Sequence, residues 1–252
     1  MSGFAQPGAV ALVGSGEYLP VMKETDTFLL DTIRGKSSAP RVVLIPTASG
    51  QESNGPKYWT DLGLNHFREL GVSVQSVSII KSQDASKPEI LTLLEQADFY
   101  YFSGGDPTYL LSTFADSPAL EIIRRKQAAG AVLAGCSAGA MAMSAYTTSI
   151  RAAMVGRVQW LPGWSVVSDI VTFPHFDRMA NFAGKFFMRK LLQNVPAGCR
   201  MVGIDEDTAL IRTNEPDSPA TYRWQVWGRQ TVSVFDADGK PTIYQSGQSV
   251  PL

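Results

Sequence analysis

Short uninterrupted apolar runs alternate with amphipathic segments of helical length through the first two-thirds of the chain. Residues that are apolar in succession, rather than at every second position, are typical of strands buried on both faces of a parallel sheet. Strands that alternate with helices form right-handed βαβ units. The pattern therefore predicts an α/β fold with a mostly parallel, doubly wound sheet and helices on both of its faces. The predicted strands are residues 9–13, 42–45, 72–80, 99–102 and 131–134.

The last part of the chain has a different pattern, because four strand-like runs beyond Gly203 follow one another with only turn residues between them. They are residues 209–212, 222–227, 231–235 and 242–244. We expect them to add an antiparallel C-terminal extension to the parallel sheet, as in many large α/β domains. Because 252 residues can bury one large core and no repeat or linker interrupts them, residues 1–252 are predicted to form a single domain.

Charge and composition exclude several classes of protein. The 22 Lys and Arg residues balance the 23 Asp and Glu residues, so no net positive charge favours nucleic acid or an acidic membrane surface as a partner. No apolar run approaches the roughly 20 residues that cross a bilayer, and the N-terminus lacks the features of a secretory signal. The two cysteines form no disulfide framework or metal-binding spacing. We expect a cytoplasmic protein without metal or other cofactor.

The most informative local motif is Gly135-Cys-Ser-Ala-Gly139, which follows the apolar run 131–134 directly and precedes a segment of small residues. This is the arrangement of a nucleophile elbow, in which the strand-to-helix turn is so tight that the residues beside the serine must be small. Ser137 would project above the sheet, where the N–H of Ala138 faces a developing oxyanion. The motif predicts Ser137 as a nucleophile; the alternative is an ordinary glycine-rich turn.

A serine nucleophile needs a base, and the chain has two histidines. His66 lies in an amphipathic helical stretch, which favours a packed or solvated role. His175 follows the apolar run 170–173, so it leaves the carboxyl end of a predicted strand, where catalytic groups collect in open α/β sheets. We therefore expect His175 to be the base. It follows Ser137 by only 38 residues, with no late histidine after it, which argues against the residue order of α/β hydrolases.

A second glycine-rich turn, Phe102-Ser-Gly-Gly-Asp106, also follows a predicted strand. Glycines let a backbone approach a ligand closely and direct N–H groups at it, so we favour the Gly105 N–H as a second oxyanion donor. The turn after the first strand, Val13-Gly-Ser-Gly-Glu17, does not have the spacing of a dinucleotide-binding fingerprint.

Together these motifs resemble the dipeptidase E and cyanophycinase family of serine peptidases. The matching segments, in the family's order, are Gly14-Ser-Gly-Glu17, Phe102-Ser-Gly-Gly-Asp106, Gly135-Cys-Ser-Ala-Gly-Ala140, Phe173-Pro-His-Phe176 and Gly203-Ile-Asp-Glu-Asp-Thr-Ala-Leu210. The resemblance implies a flavodoxin-like sheet akin to that of class I glutamine amidotransferases. It also implies an acyl-enzyme on Ser137, His175 as general base, and an oxyanion hole formed by the N–H groups of Gly105 and Ala138. Substrates in the family are small peptides with an aspartyl residue at the cleaved bond, joined through its α-carboxyl or its side-chain carboxyl.

The third catalytic residue is the point at which the chain departs from the family pattern. Family members usually place an acid about midway between the serine and the histidine, yet residues 138–168 contain no Asp or Glu. Asp177 is the candidate for this role, because His175-Phe-Asp177 has the His-x-acid spacing of class I amidotransferases. The alternatives for Asp177 are a helix cap or an ion pair with Arg178.

Substrate-binding candidates come from the charged residues near these motifs. The resemblance places Glu17 and Glu206 near the cleft. An aspartyl carboxylate needs a cation, and Arg178 lies three residues from His175, with Arg151 and Arg157 as further candidates. Two other functions stay open: an inactive relative that binds a small peptide or amino acid, and an esterase or amidase that acts on a non-peptide substrate. The strand-rich C-terminus also suggests a possible homodimer edge.

Overall fold

The computed structural model describes residues 6–35, 39–149, 158–182, 191–192, 194–215 and 218–252. Within these ranges, no helix combines the length and the apolar character that crossing a membrane requires.

Five parallel strands form the centre of the molecule. They are β1 (Val10–Val13), β2 (Arg41–Ile45), β3 (Ser73–Ser76), β4 (Phe99–Phe102) and β5 (Val132–Cys136), and they lie in the order β3-β2-β4-β5-β1. Every residue of β1, β4 and β5 is buried, as their uninterrupted apolar runs predict. The predicted strand 72–80 is shorter than expected, because β3 lies at the edge of the sheet and ends at Ser76.

Helices cover both faces of this sheet. They are α1 (Lys23–Arg34), α2 (Gly55–Glu69), α3 (Pro88–Gln96), α4 (Pro107–Phe114), α5 (Pro118–Ala128) and α6 (Ala138–Met143), with short 3-10 helices at Pro20–Met22, Thr47–Ser49 and Ser82–Ser86. The helix α7 (Phe176–Phe182) lies apart from them, because its Phe176 packs in a separate cluster with Phe173 and Met201. Apolar residues of α1 and α2 pack on one face of the sheet, and those of α3 to α6 pack on the other. Alternate strand residues serve the two cores, since Leu12 faces one and Val13 the other.

The C-terminal strands are divided between two sheets. The strands β10 (Thr208–Glu215), β11 (Ser218–Gly228) and β14 (Ser249–Val250) extend the main sheet beyond β1, and the three new pairings are antiparallel. A second sheet has the order β13-β12-β9-β8, formed by β8 (Ile170–Phe173), β9 (Arg200–Ile204), β12 (Thr231–Phe235) and β13 (Pro241–Gln245). A short pair, β6 (Tyr146–Thr148) and β7 (Trp160–Pro162), stands apart. The predicted fold class, a flavodoxin-like α/β sheet with an antiparallel extension, is confirmed. The strands predicted at residues 231–235 and 242–244 were expected in this extension but pair in the second sheet instead.

The second sheet brings two strand ends close to the main sheet. Its strands β8 and β9 are parallel, and Phe173 pairs with Gly203 at their carboxyl ends. Val202 and Ile204 of β9 pack in the same core cluster as Leu12 of β1. The segments that follow β8 and β9 therefore leave the second sheet side by side.

A buried hydrogen bond between Asp26 and His66 links α1 to α2. The carboxylate of Asp26 lies 2.8 Å from Nε2 of His66, and both side chains are almost completely buried. Burial raises the pKa of the Asp26 carboxyl, and the hydrogen bond with His66 acts in the opposite direction. His66 therefore has the packed helical role that its sequence context favours.

Replacement of His66 by alanine tests the contribution of this pair to stability. The variant leaves a buried carboxyl without its partner, so we expect the free energy of unfolding at pH 7 to fall by about 3–5 kcal/mol, measured by urea denaturation. A carboxyl with a raised pKa in the folded state stabilises below its unfolded pKa, and this stabilisation is lost as the pH rises through the folded value. The loss should therefore shrink as the pH is lowered from 7.

The control is the double variant Asp26→Asn/His66→Ala, in which position 26 cannot titrate. Its stability should depend less on pH than that of His66→Ala over the same range. Equal pH dependence of the two variants would contradict a destabilising charge at Asp26.

Candidate active site

Ser137 occupies a strained turn between β5 and α6. Its backbone has φ +50° and ψ −108°, a region that residues other than glycine rarely adopt. The turn leaves no space for a side chain at Gly139, where a Cβ would lie 2.7 Å from the carbonyl oxygen of Phe102. The N–H of Ser137 donates to the carbonyl of Val13 in the neighbouring strand. This is the geometry of a nucleophile elbow.

The imidazole of His175 reaches this serine from the second sheet. His175 follows β8, also has a positive φ of 49°, and places Nε2 3.1 Å from Oγ of Ser137. Its side chain is partly exposed at the surface of the cleft. Strained residues of this kind cluster at functional sites. The structure brings together the two residues that the sequence pairs as nucleophile and base.

Glu206 completes the hydrogen-bonded chain. Its Oε1 lies 2.7 Å from Nδ1 of His175, so a serine, an imidazole and a carboxylate stand in series. Glu206 follows β9, the parallel neighbour of β8, and this pairing carries the acid to the histidine. Sequence reasoning placed Glu206 near the cleft but missed this contact. The parallel pairing of β8 and β9 is the feature that places Glu206 beside His175. The register of these two strands is known only from the structure.

Asp177 does not occupy the place that its His-x-acid spacing predicts. Its Oδ1 accepts the backbone N–H of Glu206 at 3.0 Å, and the acid at the imidazole is Glu206. The reason is local, since α7 begins at Phe176 and Asp177 lies in its first turn. Asp177 thus fixes the backbone of the residue that contacts His175.

Arg178 lies at the mouth of the cleft. Its Nη2 is 2.9 Å from Oε2 of Glu206, and its side chain is 68% exposed. The guanidinium therefore contacts Glu206 and also has donor groups that face solvent. Arg151 and Arg157, the other cationic candidates, lie outside the described residues.

Glu17 is a buried carboxylate beneath the cleft, and only 3% of it is exposed. Its Oε1 accepts the N–H of Gly104, and its Oε2 accepts the thiol of Cys136, both at 2.8 Å. Both oxygens are therefore engaged with the protein itself. Burial and the Glu17 carboxylate raise the pKa of the Cys136 thiol well above its usual range, so Cys136 is a protonated packing residue and not a nucleophile.

Two backbone N–H groups beside Ser137 have the character of an oxyanion hole. Within the described residues, no hydrogen bond uses the N–H of Gly105 or of Ala138. Ala138 follows the serine directly. The glycine turn also borders the serine, since a Cβ built on Gly104 would lie 3.9 Å from Oγ of Ser137. Free backbone donors beside a nucleophile suit the negative charge of a tetrahedral intermediate.

The cleft above these groups has a volume of about 460 Å³. Ser137, His175, Arg178 and Glu206 form part of its lining, together with apolar side chains of α2. Among the residues that the structure describes, no group of three or more His, Cys, Asp or Glu side chains is placed to hold a metal ion. These residues offer a hydroxyl, an imidazole and a carboxylate that hydrogen bonds join in series.

Proteins with similar sequences include cyanophycinases and uncharacterized peptidases. Residues 10–216 match the model of Peptidase family S51. A cyanophycinase of Trichormus variabilis is 26% identical over 238 residues, which cover 90% of this chain and 73% of that protein. An uncharacterized peptidase of Listeria innocua is 26% identical over 69% of this chain and 81% of its own length.

Solved structures agree with this assignment. A peptidase from an acI-B1 Actinobacterium has a TM-score of 0.85 and 31% sequence identity, and the match covers 99% of this chain and 98% of that one. A putative peptidase E from Listeria monocytogenes shares the fold, with a TM-score of 0.56, 22% identity, and coverage of 81% of this chain and 94% of that one. The expected resemblance to the dipeptidase E and cyanophycinase family is thereby confirmed, and the chain belongs to peptidase family S51.

Proposed function

We propose that this chain is a serine peptidase that cleaves short aspartyl peptides or isopeptides through an acyl-enzyme on Ser137. The observation that carries the proposal is the hydrogen-bonded series from Ser137 through His175 to Glu206. An inactive binding protein has no need for this alignment. Glu206 also provides an acid at His175, although residues 138–168 contain no Asp or Glu. Membership of a peptidase family supports the hydrolytic reaction class.

The geometry suits a two-step acyl transfer. Nε2 of His175 takes the proton of the Ser137 hydroxyl as Oγ attacks the carbonyl carbon, and the imidazolium returns that proton to the leaving nitrogen as the C–N bond breaks. Water then attacks the ester carbonyl with the same base, which releases the acid product and restores the serine. The Glu206 carboxylate at Nδ1 fixes the tautomer and stabilises the imidazolium.

The oxyanion of each tetrahedral intermediate would bind the N–H groups of Gly105 and Ala138. One such donor typically contributes about 10²–10³ in kcat. Glu17 holds the Gly104 N–H, so we assign it the positioning of this glycine turn in place of substrate binding. Arg178 has exposed guanidinium donors beside Glu206 and would bind a substrate carboxylate.

Three further expectations lie beyond the site and stay predictions: a single domain over residues 1–252, a cytoplasmic location and a homodimer. Light scattering coupled to size-exclusion chromatography measures the last of these directly.

The exchange Ser137→Ala tests the nucleophile. We expect kcat/KM on aspartyl dipeptides to fall by at least about 10³-fold, because the attacking oxygen is removed. The matched control is Ser112→Ala on α4, whose exposed hydroxyl bonds only the backbone of its own helix. Retention of hydrolysis by Ser137→Ala would overturn the proposal, whereas hydrolysis of simple esters with no cleavage of any aspartyl peptide would indicate an esterase.

The exchanges Glu206→Gln and Asp177→Asn distinguish the two acids near His175. We expect Glu206→Gln to lower kcat by about 10²–10⁴-fold, because the imidazolium loses its counter-charge. Asp177→Asn should cost less than about 10-fold, since its amide oxygen can still accept the Glu206 N–H. A larger loss for Asp177→Asn than for Glu206→Gln would reverse the assignment.

Glu17→Ala tests the support of the oxyanion turn. We expect kcat to fall by about 10–100-fold with little change in KM, because the lost interaction stabilises the transition state rather than the bound substrate. Glu17→Gln should retain most of kcat, since its amide oxygen accepts the same N–H.

A second readout separates this role from a general structural one. An aspartyl boronate forms a tetrahedral adduct on serine. Its inhibition constant should rise in Glu17→Ala by the same factor by which kcat/KM falls. Unchanged boronate affinity alongside reduced kcat would contradict the role of Glu17 in positioning this turn.

A further inference from the structure

Large apolar side chains are exposed at the cleft, where solvent contact is costly. Among the described residues, the exposed large hydrophobic side chains are Leu19, Tyr58, Tyr222 and Ile243. Two of these four line the cleft that contains Ser137: Leu19, which is 42% exposed, and Tyr58, which is 51% exposed. Apolar groups exposed together in a concave site typically contact a ligand.

These residues belong to a wall formed by Leu19, Tyr58, Trp59 and Leu62, which we call the apolar wall. Tyr58 and Leu62 are four residues apart on α2, so they lie on the same side of the helix. The Trp59 ring lies edge to face with Tyr58, at a centroid distance of 5.1 Å, and with Tyr18 at 6.5 Å.

Contacts below the wall fix its position. Tyr18 is buried and packs on Tyr101 of the central strand β4, with ring centroids 4.9 Å apart. The wall is thus connected through aromatic contacts to the core of the sheet. A preorganised apolar surface of this kind binds a side chain without the cost of ordering its own residues.

The carboxylates of the same cleft already have partners. Glu206 contacts His175 and Arg178, and Glu17 binds the Gly104 N–H and the Cys136 thiol. The third, Asp207, lies 3.4 Å from Arg229. These are the three acidic side chains among the described lining residues. A guanidinium or ammonium group of a substrate would therefore have to displace an existing contact.

We propose that the apolar wall binds a bulky apolar side chain of the peptide, so that the preferred substrates join the aspartyl residue to leucine, phenylalanine or a similar residue rather than to arginine or lysine. The inference rests on the proposed function, since it names the second residue of the same substrate. Burying one such side chain changes kcat/KM by about 10–200-fold, and this sets the expected size of the preference.

A panel of dipeptides tests the preference. The kcat/KM values of Asp-Phe, Asp-Leu, Asp-Ala, Asp-Arg and β-aspartyl-arginine are measured with the wild-type protein and with Tyr58→Ala. We expect the wild type to prefer Asp-Phe and Asp-Leu over both arginine peptides by at least about 10-fold. Tyr58→Ala should lower the Asp-Phe value about 10-fold and leave the Asp-Ala value within about twofold, because alanine does not reach the wall.

The matched control is Tyr222→Ala, which removes a similarly exposed tyrosine (44%, against 51% for Tyr58) from β11, outside the lining of the cleft. It should leave all five values unchanged. The proposal is overturned if the wild type cleaves Asp-Arg as fast as Asp-Phe, or if Tyr58→Ala lowers the Asp-Phe and Asp-Ala values equally.

A binding measurement separates this inference from the proposed function. Calorimetry with Ser137→Ala, which leaves the wall intact, gives the Kd of uncleaved Asp-Phe and Asp-Arg. We expect Asp-Phe to bind more tightly than Asp-Arg, and the affinity for Asp-Phe to fall about 10-fold in Ser137→Ala/Tyr58→Ala. These two results support the apolar wall even if the wild type hydrolyses none of the peptides. Equal Kd values for the two peptides contradict the wall, whatever the turnover.

Discussion

The hydrogen bond between His175 Nε2 and Ser137 Oγ connects residues that follow strands of two different sheets. Within the described chain, the strands of these two sheets do not pair with each other. The serine leaves the main sheet after β5, whereas the histidine and Glu206 leave the second sheet after β8 and β9. The site therefore depends on how closely the two sheets approach. Gly14 permits that approach at the end of β1, since a Cβ there would lie 2.0 Å from the carbonyl oxygen of Asp205. One side chain at this position would push Glu206 and His175 away from Ser137.

Backbone strain is concentrated around the same junction. Six described non-glycine residues have a positive φ, and three of them line the cleft: Ser137, His175 and Asp207. A fourth, Tyr18, directly precedes Leu19 of the apolar wall. Each such residue costs on the order of 1–3 kcal/mol, which only a well-packed surrounding structure can offset. Here the surrounding structure is the buried strands β1, β4 and β5. The strained backbone directs the Ser137 and His175 side chains into the cleft, and the packed core offsets the cost of that strain.

The sequence predicts those parts of the site that local patterns determine. Uninterrupted apolar runs identify the parallel strands, the Gly-x-Ser-x-Gly turn identifies Ser137, and the scarcity of histidine identifies its partner. The contact of Glu206 with His175 could not be predicted, because it arises from the register of β8 against β9, whose residues are distant in the chain. The division of the C-terminal strands into two sheets was missed for the same reason. Alternation of side chains reveals the faces of a strand but not its neighbours. Asp177 has the His-x-acid spacing, yet it binds the backbone N–H of Glu206 rather than the imidazole of His175.

The proposed function requires that the His175–Glu206 pair activates the Ser137 hydroxyl and no other nucleophile in the described chain. Labelling with a fluorophosphonate, followed by peptide mass spectrometry, measures this activation at each residue. We expect a single adduct on the peptide that contains Ser137, and much slower labelling when His175 is replaced by alanine in a protein that remains folded. An adduct on another residue, or no adduct on the folded wild-type protein, would contradict it.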